Sequence, residues 1–457
     1  MNLVKDINPN IFREYDLRGI YPEDITEDVA YTLGKSFGTY IKQFGHEKTV
    51  VGHDNRLSSP SLSEALIKGI LETGIDVINL GLVTTPMYYF AKYHLEIYSG
   101  IMITASHNPK EYNGFKMSFS KVGNAYGEQI QAFREFTHAL NFDEGKGTEI
   151  KLDLKNSYLK LLKNSVDFGN RKIKIVVDCG NGTGSIIIKD VLEMLPIEYE
   201  LLYSESDGNF PNHHPDPSVA SNMVDLGNKV RELKYDFGIG IDGDADRVGI
   251  VDENGKVIPT DLVMAIIYRY LYPNMKNKKA LFDVKCSKAL IDDLEEQGIE
   301  PVMYRTGNSY TNMKMQEGDF DFGGEYSGHI FFRDKFPGFD DGIYGGLRMI
   351  EILSHSDKNF SDLLEGIHEY YSTEEIKIAV TDETKFDIVE KVKEYALSKN
   401  YSIITLDGVR VSFDDGWALV RASNTGPNLT VRFEAISEER LMELQNEFIN
   451  VIETSRK

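Results

Sequence analysis

The chain has 457 residues, 41% hydrophobic and 27% charged, the balance of a globular protein with ample material for a core; at about 100 to 150 residues per domain it divides into roughly three or four domains. A formal net charge of −22 excludes the basic surface that nucleic acid or an anionic membrane requires, so neither is an expected partner. The opening residues MNLVKDINPN carry no apolar leader and no eighteen-residue apolar run follows, so a cytoplasmic chain is expected.

Phe12 to Gly19 reads FREYDLRG, in which Tyr15, Asp16 and Arg18 alternate before a glycine that permits a sharp turn. This is either an edge strand with a salt bridge or a strand that turns Arg18 toward an anion. Helical periodicity runs from Asp28 to Gln43, a short strand ends at Asp54, and Pro60 opens a helix with Leu62, Leu66, Ile70 and Leu71 on its apolar face. The strand Asp76 to Val83 and an aromatic-rich helix lead to GIMITA, an apolar strand that stops at Ser106. Asn108-Pro109 then forces a turn, because proline fixes its own φ and pushes the preceding residue out of the helical region. Ser106 is therefore left at a strand end, with His107 beside it and Lys116 ten residues on. Such a segment is either a capped turn or a nucleophilic, phosphate-carrying serine.

The strand-helix-strand order returns twice, in IKIVVDCGNGTG (Ile173 to Gly184) with FGIGIDGDADR, and in ALFDVKCS (Ala280 to Ser287) with DFGGEYSGH (Asp321 to His329). CGNGTG lacks the full G-x-G-x-x-G spacing and reads as a tight turn. Cys179 and Cys286 read as reduced buried thiols. From about Tyr370 a smaller α+β pattern follows, and Ser437, Glu438 and Glu439 open a last helix whose Leu441, Leu444, Phe448 and Ile452 face its core. The fold class is thus three α/β mixed-sheet domains plus a C-terminal α+β domain, with strand-end loops aimed at one place.

Asp242, Asp244 and Asp246 stand at every second position after an apolar strand. Two carboxylates about 4 Å apart repel by roughly 4 kcal/mol at an effective dielectric of 20, so three together call for a cation. A hard divalent ion fits, and Mg²⁺ is the usual choice beside a phosphate; a solvated acidic loop is the alternative. An EF-hand fails because Arg247 stands where glycine is required. His213 and His214, in the loop DGNFPNHHPDP, lack a third soft ligand and read as packing residues. Glu325 and Ser327, on a glycine-flanked loop, suit sugar hydroxyls. Lys285 and Arg305 are placed to neutralise a phosphate, and RASNTGPN (Arg421 to Asn428) offers a guanidinium, hydroxyls and free N–H groups to another, or is a polar hairpin turn.

With TASHNP, DGDADR, GEYSGH and RASNTGP in that order, the chain resembles the α-D-phosphohexomutase superfamily, and within it the bacterial phosphomannomutase/phosphoglucomutase group. The resemblance covers essentially the whole chain. It implies four domains around a central cleft: a phosphoserine domain (1–153), a metal-binding domain (154–255), a sugar-recognition domain (256–367) and a C-terminal phosphate-binding domain (368–457). It implies Ser106 as the phosphoserine, with Asp242, Asp244 and Asp246 holding Mg²⁺ together with it. Arg18, His107, Lys116, Arg247 and His329 would line the reaction centre, with Lys116 or His329 moving the hydroxyl proton. Glu325 and Ser327 would read the sugar; Tyr15, Lys285 and Asn308 would join them in binding substrate, and Arg421, Ser423, Asn424 and Thr425 would hold the phosphate not being transferred.

The implied activity interconverts hexose 1-phosphate and hexose 6-phosphate, of glucose, mannose or both. It proceeds through a bisphosphate intermediate, with glucose 1,6-bisphosphate or mannose 1,6-bisphosphate as activator. The expected partner is a phosphorylated hexose, and the expected state a monomer or weak dimer. The sequence departs from the family pattern at Asn308, where histidine is common and asparagine cannot carry a proton near neutral pH, and at Tyr326, where methionine is usual. The alternatives are a phosphoglucosamine mutase, whose relatives favour RPSGTEP in the last loop, a metal-dependent sugar phosphatase, and a non-catalytic phosphosugar-binding regulator.

Overall fold

The computed structural model of the chain describes residues 1–120, 123–318, 320–423 and 426–456. Its first unit runs through β1 (Leu17–Ile20), α1 (Glu27–Ile41), β2 (Lys48–His53), α2 (Ser59–Leu71), β3 (Asp76–Leu82), α3 (Thr85–Leu95), β4 (Gly100–Ile103), β5 (Tyr112–Ser118), α4 (Glu128–His138) and β6 (Glu149–Lys151). The sheet order is β1-β5-β4-β2-β3-β6, with β5 alone running against its neighbours. Local chemistry sets the element starts. Thr26 caps α1 by accepting from Val29 N, Glu27 and Asp28 fill the positive first turn, and Pro60 sits in the first turn of α2. β4 is buried at every position, as an apolar run inside a sheet covered on both faces must be.

The second unit holds α5 (Lys155–Asn164), β7 (Lys174–Asp178), α6 (Ile188–Glu193), β8 (Glu198–Leu202), α7 (Val224–Leu233), β9 (Phe237–Ile241), β10 (Val248–Val251) and β11 (Val257–Ile258), ordered β11-β10-β9-β7-β8. The third holds α8 (Thr260–Leu271), β12 (Lys279–Asp283), α9 (Lys288–Glu296), β13 (Glu300–Tyr304), α10 (Asn308–Glu317), β14 (Phe322–Gly324), β15 (Ile330–Phe332) and α11 (Gly342–Ser354), ordered β13-β12-β14-β15. Both repeat a parallel centre with an antiparallel strand toward one edge. The fourth unit differs: β16 (Tyr371–Ser372), β17 (Ile376–Ala379), α12 (Lys385–Ser398), β18 (Ser402–Ile404), β19 (Val409–Phe413), β20 (Gly416–Ala422), β21 (Asn428–Ala435) and α13 (Glu438–Ser455) form an antiparallel sheet backed by helices. Three α/β mixed-sheet units and a C-terminal α+β unit are the architecture expected.

One hydrophobic cluster runs from Val50 on β2 through Val177, Ile239 and Phe282 to Phe360, so the first three units share a continuous core. The fourth has its own, around Val392, Val411, Phe433 and Phe448. Buried polar contacts tie it to the third: Arg410 Nη1 donates to Cys286 O at 2.8 Å, Lys288 N donates to Glu434 Oε1 at 2.7 Å, and Arg432 Nη1 donates to Lys285 O. Among the described residues no helix is long and apolar enough to cross a membrane.

Candidate active site

The carboxyl ends of β4, β9, β12 and β14 carry Ser106, Arg247 after the 242–246 loop, Lys285 and Glu325 to one cleft of about 470 Å³, the position where α/β sheets bind ligands. Ser106 lies just beyond β4 with φ +49, a conformation few non-glycine residues adopt, and it is 2% exposed. Its N–H donates to Thr104 Oγ1 (2.9 Å) and its carbonyl accepts from Arg56 Nη2 (2.8 Å), so the backbone is held from both sides. The hydroxyl donates to Asp242 Oδ2 at 2.9 Å and lies 3.2 Å from His107 Nδ1. Burial, and then the neighbouring Arg247 and Arg18, push the His107 pKa well below its usual range, so the imidazole is neutral. The loop carrying Asp242 comes this close because residue 243 is glycine: a Cβ there would stand 2.5 Å from Ser106 O.

Asp242, Asp244 and Asp246 are completely buried, with carboxylate oxygens within 4.8 Å of one another. Asp244 Oδ2 accepts from Thr85 Oγ1 (2.7 Å), Thr104 Oγ1 (3.2 Å) and Lys116 Nζ (2.9 Å), and Lys116 also donates to Asp246 Oδ2. Burial opposes the Lys116 charge, yet these two aspartates hold its pKa well above the ordinary lysine value. Burial and carboxylate repulsion push Asp242 well up. One lysine thus does not neutralise three carboxylates. Asp244 Oδ1 and Asp246 Oδ1 are buried with no hydrogen-bond partner among the described residues. Two unsatisfied hard oxygens beside a hydroxyl are what a divalent cation binds, so the donor set fits Mg²⁺, with Asp242, Asp244, Asp246 and Ser106 as the residues to hold it.

Around this floor stand cations from several units. Arg18 pairs with Asp16 and donates to Asn108 Oδ1 (2.6 Å). Arg247 Nε donates to His329 Nε2 at 2.9 Å, and His329 Nδ1 lies 2.8 Å from Asp340 Oδ2, at ion-pair distance but without hydrogen-bond alignment. Glu325 Oε1 accepts from Thr311 Oγ1 (2.6 Å) and Gly307 N (3.2 Å), while Oε2 accepts from Ser327 Oγ (3.3 Å). Tyr15, Lys285, Asn308, Arg421 and Ser423 line the same cleft. Asn424 and Thr425 lie outside the described residues. Arg305 does not face the cleft as expected: its guanidinium lies 4.0 Å over the Tyr310 ring, with Glu14 at 3.8 Å, because an aromatic face and a carboxylate lie closer to hand. His213 pairs with Asp178 at 3.0 Å and packs on Tyr203, the structural role expected of it.

The sequence passed over several contributors. Arg56 braces the serine loop, Asp340 bridges His329 and, at 3.3 Å, Asn308 Nδ2, and Glu375 pairs with Lys285. Of these only Asp340 had a signal, in the segment GFDDGIY. A larger groove of about 980 Å³ lies over α2 and β6, lined by Lys68, Glu72 and Lys151 among others, and among the described residues neither candidate metal-holding cluster lies in it.

A strand-end serine pressed against a buried acidic cluster, under cations drawn from separate units, is an arrangement that suits phosphoryl transfer. Family models agree. Phosphoglucomutase/phosphomannomutase alpha/beta/alpha domains I, II and III match residues 9–143, 156–255 and 259–371, and the C-terminal domain matches 375–451. The chain belongs to the phosphoglucomutase/phosphomannomutase family. It is 41% identical to the phosphomannomutase/phosphoglucomutase of Pseudomonas aeruginosa over 96% of this chain and 95% of that protein. It is 38% identical to the phosphoglucomutase of Neisseria gonorrhoeae over 98% of each. A phosphoglucomutase/phosphomannomutase family protein from Burkholderia thailandensis, 34% identical, superposes with a TM-score of 0.90 over 98% of both chains. These relatives do not favour the phosphoglucosamine, phosphatase or non-catalytic alternatives.

Proposed function

We propose that this chain interconverts the 1- and 6-phosphates of glucose and mannose, with Ser106 as the phosphoryl carrier. The observation that carries this reading is the Ser106 hydroxyl, 2.9 Å from Asp242 in an acidic cluster that Lys116 neutralises only in part, beneath a cationic cleft.

Phosphoryl transfer is mostly positioning and charge neutralisation. The phosphorylated Ser106 gives its phosphoryl group to the free hydroxyl of a bound hexose phosphate: the P–O bond to Oγ breaks, a P–O bond to the sugar oxygen forms, and the sugar hydroxyl loses its proton. The resulting bisphosphate turns round in the cleft, and its other phosphoryl group returns to Ser106. Asp242, Asp244 and Asp246 would hold Mg²⁺, which would supply charge neutralisation for the serine-bound phosphoryl group. Lys116 is held as an ammonium by Asp244 and Asp246, which suits it to stabilise charge rather than to accept a proton. His329 is the better proton acceptor, since its Nε2 carries a lone pair, now shared with Arg247. Arg18 and Arg247 face the transferring group. Glu325, fixed by Thr311 and Gly307, keeps Oε2 available to sugar hydroxyls, while Lys285, Arg421 and Ser423 hold the distal phosphate.

The test is conversion of glucose 1-phosphate to glucose 6-phosphate with a trace of glucose 1,6-bisphosphate. Mutase activity conserves phosphate; release of inorganic phosphate in step with substrate loss would replace this reading by a phosphatase. Intact mass after incubation with the bisphosphate should rise by one phosphoryl group in the wild type and not in Ser106→Ala.

A further inference from the structure

Glu375 stands where the cleft is built to receive a negative charge. It lies between β16 and β17, in the segment leading into the fourth unit, and its Oε1 is 2.7 Å from Lys285 Nζ. Lys285 is 6% exposed and its next carboxylate, Asp283, is 3.9 Å away, so Glu375 is its principal counter-charge. The glutamate remains 28% exposed, toward the cleft that it lines. Burial works against its charge, but Lys285, Arg421 and Arg432 hold its carboxyl down at about 2. Arg421 Nε donates to Asp407 at 2.9 Å, while its buried Nη2 has no hydrogen-bond partner among the described residues. The cradle therefore contains two cations, Glu375 paired with the lysine, Asp407 paired with the arginine, and a spare donor on Arg421.

We propose that Glu375 is a positioning residue that stands in for the distal phosphate: it neutralises Lys285 while the cradle is empty, yields to a substrate phosphate, and returns whenever the bisphosphate lets go to turn round. This rests on Lys285 and Arg421 being the distal-phosphate cradle. A buried lysine left without an anion is costly, so an empty cradle needs a resident carboxylate. A phosphate carries about −1.5 to −2 charges against the carboxylate's one, so it displaces Glu375, but at a reduced net gain. That reduction serves a reaction whose intermediate must release and rebind within one turnover, because a phosphate held equally tightly throughout slows release without aiding chemistry. The exchange also breaks a tie between the third unit and the entrance to the fourth, which has a separate core.

Titration calorimetry with glucose 1-phosphate at fixed ionic strength tests this in a Ser106→Ala background, where that side chain exchanges no phosphoryl group. Glu375→Gln should lower Kd by ~10-fold, and Lys285→Met should raise it by ~10-fold or more. The double variant should match Lys285→Met alone, since nothing remains to compete for. Glu375→Asp, which keeps the charge with a shorter reach, should fall between wild type and Glu375→Gln and serves if the glutamine variant folds poorly. With Ser106 intact, Glu375→Gln should lower KM and kcat together. If Lys285→Met leaves Kd unchanged, the cradle assignment is wrong; if it weakens binding while Glu375→Gln and Glu375→Asp bind no tighter than wild type, the cradle stands and the stand-in role of Glu375 is overturned.

Discussion

Arg56 holds Ser106 by its backbone. The guanidinium, 1% exposed, donates from Nη2 to Ser106 O (2.8 Å) and Asn108 O (2.6 Å), from Nη1 to Pro109 O (2.6 Å) and Tyr112 O (3.0 Å), and from Nε to Asp54 Oδ2 (3.2 Å). A planar fork reaching four carbonyls has no lysine equivalent, so Arg56→Lys should leave carbonyls unsatisfied and let the positive-φ serine relax. The expected result is a loss of ~3 kcal/mol in urea unfolding and a fall of ~100-fold in kcat/KM, the usual consequence of misplacing a reacting group by about 1 Å. Wild-type stability together with wild-type turnover would remove Arg56 from the account.

Lys116 and the three aspartates make a second prediction. Lys116→Met strips Asp244 and Asp246 of their internal cation, which should cost ~3 to 5 kcal/mol with chelator present and much less with saturating Mg²⁺. Urea midpoints measured both ways give the comparison; equal losses in the two conditions would mean that the aspartates do not hold the ion. Chelation should abolish activity in the wild type and Mg²⁺ restore it, and Asp244→Asn should need at least ~10-fold more Mg²⁺.

What the sequence showed of this site was local. Ser106 is visible because GIMITA ends where Asn108-Pro109 turns, and the aspartates because alternating carboxylates after an apolar strand are expensive. The order of sheets was visible for the same reason, since strand and helix periods repeat within each unit. Partnerships across units were not. Lys116 meets Asp244 across 128 positions and Lys285 meets Glu375 across two units, and neither pairing leaves a trace in spacing. Arg56 has no signal in the sequence, because four carbonyl acceptors are a property of the folded backbone alone. Arg305 misled for the converse reason: its charge was right for a phosphate, but Tyr310 offered a nearer surface.

Lys92 gives stability a pH dependence separate from catalysis. Its side chain, on α3, is buried with the Tyr88 ring 5.6 Å from Nζ, and burial lowers its pKa to about 7. The unfolded lysine keeps a value near 10.4, so between about pH 7 and 10 the unfolded chain holds a proton that the folded chain does not. Stability from this residue therefore rises with pH across that window, and the penalty is fully present below it. Lys92→Met should be more stable than wild type by ~1 to 3 kcal/mol at pH 7, with the advantage shrinking toward pH 10. Urea unfolding at pH 7, 8.5 and 10 checks this, and a difference independent of pH would refute it.

The last prediction concerns glucose against mannose, which differ only at C2. Glu325 is positioned by Thr311 and Gly307 and shares Oε2 with Ser327, leaving one carboxylate oxygen and one hydroxyl to meet the sugar. Tyr326 was the residue most able to add a discriminating contact. It lines the cleft, but its ring rests against the Arg432 guanidinium, 3.7 Å from centroid to Cζ, and so also joins the third unit to the fourth. The same contacts must also serve the sugar in both orientations, which favours recognition near its middle over recognition of C2. A buried polar site matched to one epimer could discriminate by ~10⁴-fold, whereas a site that ignores C2 should stay within about tenfold. Accordingly kcat/KM for glucose 1-phosphate and mannose 1-phosphate should agree within ~10-fold, Glu325→Ala should depress both alike, and Tyr326→Met should leave their ratio within ~3-fold. A preference beyond ~1000-fold, or a Glu325→Ala defect confined to one hexose, would place a reader of C2 in this cleft.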